Sequence, residues 1–298
     1  MQSVLSIDNI SKRYGRIQAL KNVSFEVPEG CVFGILGPNG SGKTTMLGTL
    51  LNVLKSDSGS FSWFGQANKD SNRKRIGSLL ETPNFYHYLS AVDNLKVTQA
   101  ISGRGKRSDI DEALETVKLT ERKKSKFKTY SLGMKQRLAI GAALLGNPEV
   151  LVLDEPTNGL DPVGILEMRE LIKHLAKQGK TIIIASHLLD EVEKVCTHVA
   201  ILKKGELLTA GAVDEVLVNE DIVEISASDI SKLQQVVANI PGCLSAVLTD
   251  KLLHLKFALG TSNLEAINQY CFNNGVVLNQ LTARKKSLET KFFELTNN

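Results

Sequence analysis

The sequence contains no apolar run approaching the roughly 20 residues that a membrane-spanning helix requires, so any membrane role is expected to come through a partner. Its first ten residues mix Gln, Ser and Asp with aliphatics and have neither the basic start nor the apolar stretch of a secretory signal, so export of the chain is not expected. Cysteine is sparse. Cys31, Cys196, Cys243 and Cys271 are far apart and form no Cys-x-x-Cys pair, a pattern that suits a reduced cytosolic protein without structural zinc. Charge of one sign is also lacking: the net charge is +4, and apart from modest clusters at residues 73–75 and 122–128 the cations are dispersed. No nucleic-acid partner is indicated. Internal repeats, low-complexity segments and sustained heptads are absent as well.

What is present is an ordinary globular composition, 42% hydrophobic and 23% charged, which excludes disorder as a description of the whole. A length of 298 residues suits one large domain and a small one. From Val4 to about Gly30, short alternating stretches such as Ser24-Phe25-Glu26-Val27, with turn signals at Tyr14-Gly15 and Pro28-Glu29-Gly30, predict antiparallel strands. Residues 31–36 are almost wholly apolar and too few for a helix, so they predict a buried central strand. Residues 44–54 follow at helical spacing, closed by the polar 55–59. From Phe85 to about Gly146 charged and apolar residues recur at helical spacing with few strand-like runs, predicting a mostly helical subdomain that interrupts an α/β core. The core resumes with buried strands at 150–153 and 181–185 around a helix at 165–177, and a hairpin joins 199–202 to 206–208. This first domain, 1–218, is expected to end near Val218. Residues 219–298 then read as strand 222–226, helix 230–240, strands 244–249 and 252–257, helix 264–273 and strand 276–281. That βαββαβ order predicts a small ferredoxin-like α+β domain, closed by a last helix from Ser287 to Leu295.

The string Gly37-Pro38-Asn39-Gly40-Ser41-Gly42-Lys43-Thr44 satisfies Gly-x-x-x-x-Gly-Lys-Thr between a strand and a helix. Glycines let successive backbone N–H groups face a phosphate chain, and the helix N-terminus adds its positive dipole end. Lys43 is placed to reach the β- and γ-phosphates of ATP, and Thr44 to offer a hydroxyl to Mg²⁺, which takes oxygen ligands. A second piece is Leu151-Val152-Leu153-Asp154-Glu155-Pro156, a buried strand ending in adjacent carboxylates at the sheet edge where α/β proteins bind ligands. Asp154 suits Mg²⁺, and Glu155 suits a general base for the attacking water; a helix cap or solvated turn is the plainer alternative. His187 follows the strand ending at Ala185-Ser186 and so emerges at the same edge, where a neutral imidazole could hydrogen-bond the γ-phosphate unless it is merely a surface residue.

Together these residues resemble the nucleotide-binding subunit of an ATP-binding cassette (ABC) transporter over about residues 4 to 215. The resemblance implies a P-loop NTPase fold with a mixed-sheet core, an antiparallel β subdomain and a helical subdomain. It implies that Tyr14 stacks on adenine, although an aromatic before a Gly is also an ordinary turn or core residue. It makes residues 37–44, with Thr45, the Walker A loop, Asp154 and Glu155 the Walker B pair, Asn158-Gly159-Leu160-Asp161 the D-loop that couples a dimer, and His187 the switch histidine. It also implies a homodimer or paired nucleotide domains beneath separate permease subunits, on the inner face of the cell membrane. A soluble ATPase of the same superfamily is the alternative.

Two elements depart from the usual pattern. The signature LSGGQ is here Ser131-Leu132-Gly133-Met134-Lys135-Gln136, in which Ser131 and Gly133 still suit the γ-phosphate of an opposite subunit while Leu132 puts a side chain where a glycine is usual. Glu81 stands where the family has a Gln that touches Mg²⁺ and its water; a solvated Glu is the plainer reading. These two departures resemble the bacitracin-resistance and lantibiotic-immunity branch, exporters of membrane-active peptides. The aromatics Phe85, Tyr86 and Tyr88 fall where the family docks on its permease, and equally suit the subdomain's own core.

Overall fold

A strand with every residue buried needs neighbours on both edges and cover on both faces. Residues Val32–Leu36 (β3) meet that condition in the computed structural model, which describes residues 2–67, 70–217, 220–249, 252–258, 260–284, 288–289 and 291–292. In chain order β3 is preceded by β1 (Ser3–Tyr14) and β2 (Ile17–Pro28). It is followed by α1 (Lys43–Leu50), β4 (Ser58–Trp63), β5 (Gln66–Ala67), α2 (Asp70–Arg73) and β6 (Ile76–Leu79). Then come α3 (Ala91–Ser102), α4 (Arg107–Thr116), α5 (Leu132–Leu144), β7 (Val150–Asp154), α6 (Pro162–Lys177), β8 (Thr181–Ser186), α7 (Leu189–Glu193), β9 (His198–Lys203) and β10 (Glu206–Ala212).

The central sheet runs β10-β9-β3-β8-β7-β6. Five of these strands are parallel, β3 pairing with β8 and β9, β8 with β7, and β7 with β6, while β10 returns antiparallel on β9. Parallel strands release the chain at one common edge, so the segments after β3, β6, β7 and β8 are neighbours by topology. A second, antiparallel sheet, β2-β1-β4-β5, shares one core with it. Phe25 stacks on Phe33 with ring centroids 5.4 Å apart, and Met46, Leu47 and Leu50 of α1 join the same cluster. The indole of Trp63, only 1% exposed, donates to the Leu50 carbonyl at 3.0 Å.

The helix after the glycine loop is shorter than its spacing predicted. It stops at Leu50 because the N–H groups of Val53 and Leu54 turn back onto the Gly48 carbonyl and Asn52 takes a left-handed φ of 58°. A Cβ on Gly48 would lie 2.8 Å from Leu54 Cδ1, so glycine lets that turn close. The helical region holds α3, α4 and α5. Phe85 packs edge-on against buried Phe127 at 5.2 Å, whereas Tyr86 and Tyr88 are 50% and 67% exposed, which divides the three aromatics between core and surface.

By its contacts the chain separates into Met1–Val213 and Asp214–Asn298. Val218, the expected boundary, lies outside the described residues. The second unit begins with α8 (Val213–Leu217) at the junction, and continues with β11 (Glu220–Ala227), α9 (Ile230–Val237), β12 (Cys243–Thr249), β13 (Leu252–Ala258), α10 (Leu264–Asn273) and β14 (Leu278–Arg284). Its sheet, β12-β13-β11-β14, is antiparallel throughout. Val223, Ile225, Leu253, Leu255 and Phe257 pack with Leu233 and Val237 of α9 and Ile267 and Cys271 of α10. Asp229 and Asn263 cap the two helices through their side chains. The last helix expected at 287–295 falls mostly outside the described residues. The four cysteines are free thiols, and burial pushes that of Cys31 up to about 12, which makes it unreactive.

Candidate functional site

Gly42 has a φ of 107°, and a Cβ there would sit 2.5 Å from the Ala19 carbonyl; one on Gly37 would sit 2.3 Å from that of Leu202. Only glycine fits either position, and the loop they shape leads directly into α1. No side chain caps α1 and no acidic residue occupies its first turn, so its N–H groups and positive dipole end remain for an anion. Lys43, buried at 6% exposure, donates to the carbonyls of Gly37 at 2.8 Å and Pro38 at 3.3 Å and lies 3.5 Å from Glu155 Oε1. The loop thus holds a cation over its own concavity.

The carboxylates arrive from β7. Asp154 Oδ2 accepts from the Thr44 hydroxyl at 2.9 Å, while Asp154 Oδ1 is buried without a partner, as is the hydroxyl of Ser41. Burial pushes the Asp154 carboxyl above its ordinary value; the Thr44 hydrogen bond and Lys43 oppose this, and the charges of Glu155 and Glu81 add to it. An unpartnered carboxylate oxygen beside a hydroxyl is a hard-oxygen donor set, and it fits Mg²⁺. Among the described residues no three His, Cys, Asp or Glu side chains gather as a metal cluster, so the remaining ligands of such an ion would come from phosphate and water.

Glu155 takes a left-handed φ of 47° and anchors its N–H on the Ala185 carbonyl at 2.9 Å, which turns its side chain back along the sheet edge. There Oε2 lies 2.9 Å from His187 Nδ1 and accepts from the Ser186 hydroxyl at 3.4 Å. A carboxylate can only accept, so Nδ1 carries the proton. In this arrangement a neutral ring presents a lone pair at Nε2, and only the imidazolium can donate to a phosphate oxygen; the neutral ring expected from the sequence would have to release Glu155 first. Glu81 follows β6 with a left-handed φ of 56°, exposed but close enough for its charge to act on Asp154.

A cleft of about 720 Å³ is lined by Asn39, Gly40, Gly42, Lys43, Thr44, Thr45 and Glu155. Tyr14 does not line it; the ring is 45% exposed, with Lys12 Nζ 5.5 Å from its centroid. Ser131, Gly133 and Asp161 are also outside the cleft. Ser131 caps α5 by accepting from the Met134 N–H at 3.3 Å, and Asp161 caps α6 by accepting from Gly164 at 2.8 Å. Leu132 is 44% exposed beside Gly159, so the signature and D-loop segments touch within one chain. Gln18, Lys21 and Lys204 line the cleft without having been singled out in the sequence. Backbone bonds from Lys21 to Gly205 and from Gly205 to Ser41 bring them there, a tertiary effect with no local pattern.

A phosphate loop, two edge carboxylates and an edge histidine on a largely parallel sheet define a P-loop ATPase cassette. The family described as ABC transporter matches residues 20–158. The chain is 39% identical to the bacitracin transport ATP-binding protein BcrA of Bacillus licheniformis, over 99% of this chain and 98% of that one. It is 41% identical to the lantibiotic transport ATP-binding protein SrtF of Streptococcus pyogenes, over 69% of this chain and 89% of SrtF. Among solved structures, cbiO1 from Clostridium perfringens, part of the ABC transporter complex cbiONQ, matches with a TM-score of 0.66 at 28% identity, over 81% of this chain and 97% of that one. The ADP conformation of MJ1267, an ATP-binding cassette of an ABC transporter, gives 0.66 at 27% identity, over 72% and 93%. The chain belongs to the ABC transporter family, as an ATP-binding and ATP-hydrolysing subunit. Among the described residues no helix is long and apolar enough to cross a membrane.

Proposed function

We propose that this subunit powers export of membrane-active peptide antibiotics of the bacitracin and lantibiotic kind, as a homodimer beneath permease subunits at the inner face of the cell membrane. The observation that carries the reading is the convergence of Lys43, the Thr44–Asp154 pair and the Glu155–His187 pair at one sheet edge, in a chain similar to BcrA over nearly its whole length. Exposed Tyr86 and Tyr88 offer an apolar surface for a permease. The βαββαβ order and antiparallel sheet of the second unit support a ferredoxin-like accessory domain.

ATP enters along the glycine loop, its phosphates taking the N–H groups of residues 40–45, and Lys43 exchanges its carbonyl contacts for phosphate oxygens. Thr44 and Asp154 would hold Mg²⁺, which would supply charge neutralisation at the phosphates, and Glu81 would add its negative charge beside them. Glu155 accepts the proton of the attacking water, and His187, as the imidazolium, donates from Nε2–H to the γ-phosphate while its Nδ1–H keeps Glu155 aimed. Ser131 and Gly133, outside their own cleft, cap the nucleotide held by the other protomer, and Asp161 reports across the dimer. Tyr14 is the residue that stacks on adenine.

The export reading is tested by expressing the chain with its permease in a sensitive host and measuring inhibitory concentrations of bacitracin, a lantibiotic and an unrelated cationic drug. Peptide-selective protection that requires the intact ATPase supports it; a host equally sensitive with and without the transporter contradicts it.

A further inference from the structure

The segment carrying His187 is short of local support. The following α7 has no side-chain cap and is too brief to be stable alone, yet Glu191 within it has a side chain only 19% exposed. A carboxylate is buried to that degree only with a counter-ion, and the counter-ion comes from another element: Arg169 of α6 donates from Nη2 to Glu191 Oε2 at 2.7 Å, and is itself 20% exposed. Lys194 lies 3.3 Å from the other oxygen. Burial alone would raise the Glu191 carboxyl; the bonds from Arg169 and Lys194 outweigh it and hold the carboxyl below its ordinary range.

The two ends of this ion pair belong to the two segments that flank Glu155. Arg169 lies about two turns along the helix that Asp161 caps, and Glu191 lies one turn beyond His187. Both line a small cavity of about 20 Å³ with Thr157 and Ser186, and Ser186 in turn donates to Glu155. Arg169 Nε is buried without a partner, so the guanidinium spends one of the two N–H groups that a side-on carboxylate would take. The contact therefore has a second, fuller arrangement open to it when either segment shifts.

We infer that Arg169 and Glu191 are positioning residues for hydrolysis: their ion pair ties the His187 segment to α6 and so sets the aim of His187 on Glu155. The inference rests on the roles given above to Glu155 and His187. Neither residue of the pair lines the nucleotide cleft, so nucleotide affinity should not depend on it.

The test uses the full chain with Mg²⁺ and ATP, measuring kcat, KM, ADP affinity and Tm. The neutral pair Arg169→Met with Glu191→Gln removes both buried charges together, which is tolerated better than leaving one unpaired. It should keep Tm, KM and ADP affinity near wild type while kcat falls roughly ten- to a hundredfold, the cost of a misplaced catalytic group. Arg169→Lys, which keeps the ion pair, should retain most of kcat. Should the neutral pair unfold, Glu191→Asp, which withdraws the carboxylate by one methylene, carries the same expectation. A folded variant with wild-type kcat, or one whose kcat falls only as its ADP affinity and Tm fall, overturns the inference. Glu155→Gln is the control: if that variant still hydrolyses ATP, the error lies in the assignment of the base and not in the ion pair.

Discussion

Asp154 is a residue whose burial opposes folding and serves binding. Its carboxyl is raised above the ordinary 3.8, chiefly by burial, so the folded chain holds this proton more tightly than the unfolded one. The linkage sign follows: its contribution to nucleotide-free stability is present below the ordinary carboxylate range and is lost as pH rises through the elevated value, leaving a penalty at neutral pH. Asp154→Asn removes that penalty. The nucleotide-free protein should melt higher than wild type at pH 7, with the difference disappearing at acid pH, while the stabilisation by Mg²⁺ with ATP should vanish. A lower Tm in both states would mean that the Thr44 bond matters more than the buried charge. The carboxylate was legible as a strand-end Asp followed by Glu; the bond between His187 Nδ1 and Glu155 was not, because sequence order says nothing of which ring nitrogen faces which oxygen.

At the scale of elements, the glycine loop and α1 act as one anion site because Gly42 lets the chain pass under the Ala19 carbonyl. Gly42→Ala adds a Cβ 2.5 Å from that oxygen at a φ of 107°, a clash with backbone in a conformation that L residues rarely adopt. ATP affinity should fall by at least tenfold, with far-UV circular dichroism unchanged; unchanged affinity in a titration of fluorescent ATP analogue would show that the loop can give way. Fully buried strands such as β3, β7 and β8 announced themselves as short apolar runs. The strands β4 and β6 did not: Ser58–Trp63 begins within the polar 55–59 that closes the preceding helical stretch, and Ile76–Leu79 is a short edge strand with Gly and Ser at its centre. Their pairing with β1 and β7 comes from sheet neighbours rather than from local propensity.

For the whole molecule, the cassette was legible because its chemistry lies in strings that directly follow buried strands, and a parallel sheet brings strand ends together whatever their separation in sequence. What a single chain does not assemble is equally informative. Ser131 and Asp161 are built as helix caps and Gly133 lies in the first turn of α5, all three away from the Lys43 cleft, so the site is finished by a second protomer. The most direct measurement is the mass of Glu155→Gln with ATP and Mg²⁺, by light scattering, beside its ATPase rate. Turnover should fall below a thousandth of wild type, about the worth of a general base with its oriented water, and a stable dimer should form with ATP and dissolve with ADP. A variant that still hydrolyses ATP, or that stays monomeric with ATP bound, would contradict it.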